Sequence, residues 1–183
     1  MTKKDIKFIQ ALVLIVISLC YFGFKTITQA RVVIPQKGEF VYVERAVDGD
    51  TLKLLDGQRV RLIGVDTPEY HYSDKLLRDA KRTHKDIATI QSLGKKASDY
   101  TKALIAGKKV RLEFDVEKHD KYGRLLAYVY LDDGTFVNAK ILEEGYGQVM
   151  TIPPNVRYAK HFLKLEQEAR DKHKGLWGSV GEF

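Results

Sequence analysis

Two Asp-Gly pairs, each set between runs of apolar and β-branched residues, constrain the fold of this chain more than any other feature. Asp-Gly between such runs is the strongest short-range signal for a hairpin turn. The flanking runs are therefore predicted to form three antiparallel strands of one meander. The pairs are Asp48-Gly49 and Asp56-Gly57, and the runs cover residues 40–47, 51–55 and 59–63.

Two more strands and three helices follow from the periodicity of the remaining sequence. Apolar and charged residues alternate over residues 110–116, as in a half-buried strand, and residues 125–131 form a fifth strand-like run. Apolar residues recur at helical spacing in residues 97–104, 137–142 and 158–169. We expect an α+β fold, an OB-fold five-stranded antiparallel β-barrel with three helices, because closing a short sheet removes its edges.

An apolar segment near the amino terminus, residues 8–24, contains no charged side chain. Its length is at the lower edge of the roughly 17–25 residues that a membrane-spanning helix needs, so an N-terminal hydrophobic helix that anchors the chain is favoured. A cleaved signal, which would make the protein secreted, stays open as the alternative. Lys3, Lys4 and Lys7 precede the segment and predict a cytoplasmic amino terminus with an extracytoplasmic domain.

The composition supports one globular domain that follows the apolar segment. Hydrophobic residues at 44% and charged residues at 30% exclude a disordered or polytopic membrane chain, and one cysteine excludes a disulfide framework. The net charge of +7 permits nucleic-acid binding without requiring it. The predicted organisation is a cytoplasmic stub, the apolar segment and the start of a tether in residues 1–31, the tether in 32–38, the folded domain in 39–178 and a tail in 179–183.

Acidic residues beside predicted turns indicate a cation site. Asp50 follows the first Asp-Gly turn and Asp66 is predicted to end the third strand, so the meander can bring both carboxylates to neighbouring positions. Like charges this close favour a cation between them, and hard oxygen ligands at turns suit Ca²⁺, whereas Mg²⁺ demands stricter geometry. Thr67 precedes Pro68, which favours an extended backbone whose carbonyl is a further candidate ligand.

Three further side chains complete the components of phosphodiester hydrolysis. Glu69 follows the proposed ligands closely, and a carboxylate there can take a proton from water. Guanidinium groups match phosphate oxygens as rigid forks, so Arg61 and Arg124 are candidates to hold a phosphoryl group. A cation, a base and two arginines acting together predict a phosphodiesterase.

Three segments of this sequence resemble the signature segments of the staphylococcal nuclease (thermonuclease) family, in the same order. They are VDGDT at residues 47–51, RLIGVDTPE at 61–69 and DKYGRLLAY at 120–128. The likeness extends from about Glu39 to Trp177. The resemblance implies an OB-type five-stranded barrel with three helices and a nuclease that cleaves both DNA and RNA to leave 3′-phosphates.

The same resemblance implies a role for each candidate residue in a protein that we expect to be a monomer. Ca²⁺ would be the cofactor, and DNA and RNA would be the substrates. The implied metal ligands are Asp50, Asp66 and the Thr67 carbonyl, the general base is Glu69, the phosphate clamp is Arg61 with Arg124, and the contacts to a terminal phosphate are Lys121 and Tyr122.

This chain departs from the family pattern in two places. Residues 70–93 form a longer loop with helical spacing and many basic side chains, which fits either a solvated helical insert or a basic face that guides the nucleic acid. Residues 151–155 replace tyrosines that frame the nucleotide, which puts base stacking there in doubt.

Two other functional classes stay open from sequence alone. One is a catalytically inactive OB-type nucleic-acid-binding module, against which the presence of both carboxylates, the base and both arginines argues. The other is a membrane-anchored interaction domain, which should bind neither Ca²⁺ nor DNA.

Overall fold

A computed structural model describes residues 38–180, with side chains up to residue 178. The described part contains seven strands and five helices. The strands are β1 Phe40–Asp48, β2 Thr51–Leu54, β3 Arg59–Leu62, β4 Gly64–Asp66, β5 Lys109–Glu113, β6 Leu125–Leu131 and β7 Gln148–Met150. The helices are α1 Asp74–Thr83, α2 Ile87–Ile105, α3 Val137–Glu143, α4 Ala159–Asp171 and the single turn α5 Trp177–Val180.

Five of the strands close into a barrel in the order β1-β2-β3-β6-β5. The strand number, the closure and the antiparallel meander of β1, β2 and β3 are confirmed. The prediction of an entirely antiparallel barrel is wrong, because β3 and β6 are parallel. The chain leaves β3, passes through α1, α2 and β5, and returns to β6 in the original direction, as a parallel pair requires a long crossover.

A second, two-stranded sheet joins β4 to β7 and was not predicted. The third barrel strand ends at Leu62, so the prediction that Asp66 ends it is wrong; Asp66 belongs to β4 and pairs with Gln148. The chain turns between the two strands at Gly64, whose φ is +78°. A side chain could not fit there, because a Cβ would lie 2.5 Å from the ring of Phe162.

The three predicted helices are confirmed as α2, α3 and α4, and the insertion adds a fourth helix of more than one turn, α1. The expected total of three helices is therefore too low. Helix α1 begins because the Ser73 hydroxyl accepts a hydrogen bond from the Leu76 N–H at 3.1 Å, and the Leu76 side chain is fully buried. The expected strand at residues 110–116 is shorter than predicted, since β5 ends at Glu113 and Val116 is 68% exposed.

The barrel interior is filled by aliphatic side chains, and one buried polar residue connects it to α3. Asn138 is fully buried, donates through Nδ2 to the Ile63 carbonyl at 2.9 Å and accepts from the Val129 N–H at 2.9 Å. It thereby holds the chain between β3 and β4 against β6. The buried barrel residues are Leu52, Leu54, Val60, Leu62, Val110, Leu112, Leu125, Ala127, Val129 and Leu131.

Replacing Asn138 by alanine is expected to lower the free energy of unfolding by about 2–4 kcal/mol. The change leaves a buried N–H and a buried carbonyl without their partner, and each such loss costs about 1–3 kcal/mol. Urea denaturation of both proteins measures the difference. Gln167→Ala, which removes an exposed hydrogen bond to Asp171, serves as the control and should change stability by less than about 0.5 kcal/mol.

Within residues 38–180 no helix is long and apolar enough to cross a bilayer. The predicted hydrophobic helix at residues 8–24 and the tether at 32–37 lie outside the described residues. So does the end of the predicted tail, residues 181–183.

Candidate active site

The first acidic turn is fastened between helix α2 and strand β3. The Thr101 hydroxyl of α2 donates to the Gly49 carbonyl at 2.7 Å, and the Leu62 N–H donates to the Asp50 carbonyl at 2.9 Å. Thr51 pairs directly with Arg61 across β2 and β3. These contacts place Asp50 beside Arg61 at one end of the barrel.

The Asp50 carboxylate is buried and already satisfied by several donors. Its Oδ2 accepts from the Thr67 N–H at 3.0 Å and lies 3.3 Å from Arg61 Nη2, and its Oδ1 accepts from the Thr51 hydroxyl at 3.0 Å. Burial by itself raises the pKa of Asp50, but the charges of Arg61 and Lys75 and the Thr67 N–H outweigh it and hold the pKa below its usual value. Asp50 is therefore a carboxylate at neutral pH.

The second acidic segment lies immediately next to the first. Asp66 is 3% exposed, and its Oδ1 lies 3.0 Å from Arg61 Nη2 and 3.0 Å from Lys75 Nζ. Arg61 Nη1 also donates to the carbonyls of Leu62 and Val65. Arg61 thus joins Asp50 to Asp66 and fixes the backbone between β3 and β4.

Lys75, from the first turn of α1, brings three oxygen atoms of the segment 66–69 around one positive charge. Its Nζ lies 3.0 Å from Asp66 Oδ1, 2.8 Å from the Thr67 carbonyl oxygen and 3.1 Å from Glu69 Oε1. Burial by itself lowers the pKa of Lys75, but Asp66, Asp50 and Glu69 outweigh burial and raise it, so the side chain stays an ammonium.

Glu69 is held at the mouth of this cluster. Its Oε2 accepts from the Ser73 hydroxyl at 3.4 Å, and Lys75 contacts its Oε1. Burial raises the pKa of Glu69 above its ordinary value, although Lys75 acts in the opposite direction. A carboxylate with a raised pKa is a stronger base, which suits proton abstraction near neutral pH.

Helix α2 sets the path of the backbone that carries Glu69. Gly94 lies directly beneath it, where a Cβ would stand 2.5 Å from the Glu69 carbonyl carbon and 2.6 Å from the Tyr70 nitrogen. The close approach requires glycine at this position of the helix.

Gly94→Ala is expected to lower kcat by about 10- to 100-fold, because the added methyl group displaces the Glu69 backbone and misplacement by about 1 Å can cost 10²-fold in rate. Initial rates of cleavage of a labelled oligonucleotide measure the effect. Ser92→Ala, an exposed substitution on the same helix, should keep the wild-type rate. A Gly94→Ala enzyme with the wild-type rate would contradict this role of α2.

The third segment builds its own small loop before β6. Asp120 Oδ1 accepts from the N–H groups of Tyr122 and Arg124, both at 2.9 Å, and Asp120 Oδ2 pairs with Arg124 Nε at 2.6 Å. Burial by itself raises the pKa of Asp120, but the hydrogen bonds from Arg124 and Tyr122 hold it below its usual value. Arg124 donates to Asp120 through Nε, which is the side-chain hydrogen bond of Arg124 within the described residues.

The parallel pairing of β3 with β6 brings Arg124 to the same side of the barrel as Arg61. Arg61 is paired with Leu126, two residues after Arg124, and both arginines line the same cleft. Tyr122 is 72% exposed and Lys121 Nζ lies 5.0 Å from its ring, which puts both side chains on the rim.

All the predicted site residues except the buried Thr67 line one open cleft of about 730 Å³. Thr67 lies directly behind it through its contacts to Asp50 and Lys75. From the insertion, Ser73, Lys75 and Arg78 line the same cleft, so α1 forms one of its walls. From residues 151–155, Ile152 and Asn155 also line this cleft.

Two residues of the cluster were missed from sequence. Lys75 is one of the many basic side chains of residues 70–93, and no local pattern indicates that it reaches the carboxylates. The Asp48-Gly49 pair indicates only a hairpin turn. In the structure, however, the Asp48 Oδ1 atom is buried without a hydrogen-bond partner in the described part of the chain. Burial and the neighbouring Asp50 charge raise the pKa of Asp48.

Comparison of the sequence with known proteins identifies its family. Residues 59–179 match the family model described as staphylococcal nuclease homologue. The chain belongs to the staphylococcal nuclease family. It is 42% identical over 144 residues to the thermonuclease of Staphylococcus intermedius, covering 77% of each chain. It is 39% identical over 146 residues to the endonuclease YncB of Bacillus subtilis strain 168, covering 77% of this chain and 63% of the relative.

A third relative, the SPbeta prophage-derived endonuclease YokF of the same strain, is 41% identical over 143 residues, with 77% of this chain and 45% of the relative covered. Together with the family match, these relatives identify the chain as a thermonuclease-like endonuclease, a hydrolase of phosphodiester bonds. The prediction of an enzyme is confirmed, in preference to an inactive binding module or an interaction domain.

Proposed function

We propose that this member of the staphylococcal nuclease family hydrolyses both DNA and RNA with bound Ca²⁺ and leaves 3′-phosphate ends. One observation carries the proposal: the oxygen atoms of Asp66, Thr67 and Glu69 already surround a single positive charge, beside Asp50 and in a cleft lined by two arginines. The candidate catalytic groups all belong to the same copy of the chain, so the proposal needs no second copy to supply one of them.

The residues present fit a calcium ion. Carboxylate and backbone carbonyl oxygens are the ligands that Ca²⁺ prefers, at about 2.3–2.6 Å. The Asp66 Oδ1 and Thr67 carbonyl oxygens lie 3.0 and 2.8 Å from Lys75 Nζ, so a contraction of a few tenths of an ångström would bring both to calcium distance. Asp50 and water or phosphate oxygens would supply further ligands. Asp48 lines the same cleft, and its buried Oδ1 makes no hydrogen bond in the described part of the chain, so it is a further oxygen atom near the site. Among residues 38–180 no three His, Cys, Asp or Glu side chains form a ready-made metal cluster. Arg61 and Lys75 form ion pairs with the carboxylates of the site.

Asp50, Asp66 and the Thr67 carbonyl would hold the ion, which supplies positive charge for a phosphate oxygen when bound. Glu69 lies at the mouth of this cluster and takes a proton from the attacking water. Arg61 and Arg124 line the same cleft and donate to the phosphate oxygens, whose negative charge increases in the transition state. Lys121 and Tyr122, which line the same cleft, would contact a terminal phosphate.

Action on both DNA and RNA is supported by the kind of groups in the cleft. Arg61, Arg124, Lys121 and Arg78 are donors to phosphates, which both nucleic acids share. Residues 151–155 carry no aromatic ring that could stack on a base, whereas Tyr122 is an exposed ring that lines the same cleft.

Digestion of single-stranded DNA, duplex DNA and RNA by the purified chain, with Ca²⁺ and with a chelator, tests the proposal. We expect all three to be cut only with Ca²⁺, and the products to accept a 3′ label only after phosphatase treatment. Cleavage that continues in the chelator would refute calcium dependence, and products labelled without phosphatase would refute 3′-phosphate ends.

Saturating Ca²⁺ is expected to raise the melting temperature of the chain. An ion that binds only the folded state stabilises it by about 2.7 kcal/mol at one hundred times its dissociation constant. Thermal unfolding with Ca²⁺ and with a chelator measures the shift. Asp66→Asn should abolish most of it, whereas Asp56→Asn in the exposed β2–β3 turn should leave it intact.

We also propose that the nuclease domain works outside the cytoplasm, anchored by residues 8–24. The support is the uncharged apolar segment and the lysines that precede it. Fractionation of cells that express the full chain should place the protein in membranes, with the domain accessible to external protease. A protein found only in the medium would support the cleaved-signal alternative instead.

A further inference from the structure

The positive charge at the centre of the proposed calcium site belongs to the protein itself. Lys75 Nζ contacts Asp66 Oδ1, the Thr67 carbonyl and Glu69 Oε1, all within 3.1 Å. Two of these groups are proposed ligands and the third is the proposed base.

This position of Lys75 is set by the fold of the insertion. Ser73 caps helix α1 and also donates to Glu69, and the neighbouring Leu76 is fully buried. The first turn of α1 is therefore attached to the body of the domain on both sides of Lys75. The side chain is 24% exposed, so it faces the cleft while its ammonium lies against the buried Asp66.

An ammonium and a calcium ion cannot use these oxygens at the same time. Ca²⁺ needs them at about 2.3–2.6 Å, which would place the ion almost at the position of Nζ. Two positive charges at such a distance repel strongly in a partly buried site. Binding of the ion therefore requires the Lys75 side chain to leave the carboxylates.

The charges of the site support the same exchange. Asp50, Asp66 and Glu69 carry three negative charges, which Arg61 and Lys75 partly neutralise. If Ca²⁺ replaces Lys75, the carboxylates exchange a single positive charge for a double one, so more of their negative charge is neutralised. The open cleft in front of α1 gives the displaced side chain room beside Arg78.

We propose that Lys75 is a built-in competitor of the metal ion: it holds the carboxylates together in the metal-free enzyme and is displaced from them by Ca²⁺. The insertion at residues 70–93 is then neither a passive surface helix nor only a guide for nucleic acid. It sets the Ca²⁺ concentration at which the site becomes active. This inference rests on the proposed calcium site.

Calcium titration by calorimetry, without substrate, tests the competition. Lys75→Met removes the charge at similar length and should raise Ca²⁺ affinity by about tenfold or more, while lowering the melting temperature of the metal-free protein. Lys75→Arg keeps the charge and should not raise affinity. The matched control is Lys81→Met, an exposed lysine on the same helix, which should change neither quantity.

Equal calcium affinity of the wild type and Lys75→Met would overturn the competition and leave the proposed metal site standing. Absence of calcium binding in both proteins would overturn the metal site and the competition together, and the digestion assay would then show separately whether the nuclease function holds.

Hydrogen exchange of the unmodified protein provides a second test that does not depend on a variant folding. Addition of Ca²⁺ should speed amide exchange in the first turn of α1, because the contacts of Lys75 are lost, and slow it at Asp66 and Thr67. Unchanged or slower exchange in α1 upon calcium binding would overturn the proposal.

Discussion

Replacing Glu69 by glutamine is expected to lower kcat by about 10²- to 10⁴-fold, which is the usual contribution of a positioned general base. The amide has the same shape as the carboxylate but cannot accept a proton from water. The structure favours this residue as the base because its carboxylate lies at the mouth of the cluster, partly buried and with a raised pKa. Single-turnover cleavage of a labelled oligonucleotide at saturating Ca²⁺ measures the effect.

A second glutamate of the same cleft provides the control. Glu117 lines the cleft, and its backbone N–H and carbonyl form hydrogen bonds with the Asn155 side chain. Glu117→Gln should keep a rate within a few-fold of wild type. A similar rate for Glu69→Gln would remove Glu69 from the base role, provided that circular dichroism shows both variants folded.

The second large effect is expected for Arg124→Lys, with a loss of about 10²-fold or more in kcat. A lysine ammonium cannot reproduce the planar fork of a guanidinium against phosphate oxygens in the transition state. It also cannot keep the geometry in which Nε pairs with Asp120 while the rest of the group serves the substrate. Steady-state rates at saturating substrate measure the loss.

Comparison of Arg61→Lys with Arg124→Lys distinguishes the structural role of Arg61 from the catalytic role proposed for both arginines. Arg61 bonds Asp50, Asp66 and two backbone carbonyls, so its replacement should reduce stability as well as activity. Arg124→Lys should reduce activity with little change in melting temperature. Arg59→Lys, at an exposed position of the same strand as Arg61, is the control. Wild-type turnover in Arg124→Lys would refute the clamp.

The local features of the fold could be predicted because they depend on neighbouring residues. Asp-Gly turns and strand alternation give the meander of β1, β2 and β3, and apolar spacing gives helices α2, α3 and α4. The candidate residues Asp50, Asp66 and Glu69 could be selected because carboxylates clustered at turns are seldom needed for packing alone.

Other features could not be predicted, because they depend on contacts between distant parts of the chain. The parallel pairing of β3 with β6 and the pairing of Asp66 with Gln148 join segments that have no local signal for each other. Gly94 is an ordinary helical glycine in the sequence, and only the tertiary structure shows the Glu69 backbone lying against it.

The sequence by itself thus determined the chemical groups of this nuclease and the turns that carry them, since both are properties of short segments. Only the tertiary structure decided which positive charge lies among the carboxylates. Lys75 reaches them because the Ser73 cap and the buried Leu76 direct the first turn of α1 toward the cleft. Such a contact depends on how an inserted helix packs against the barrel, which the spacing of charged residues along the chain does not reveal.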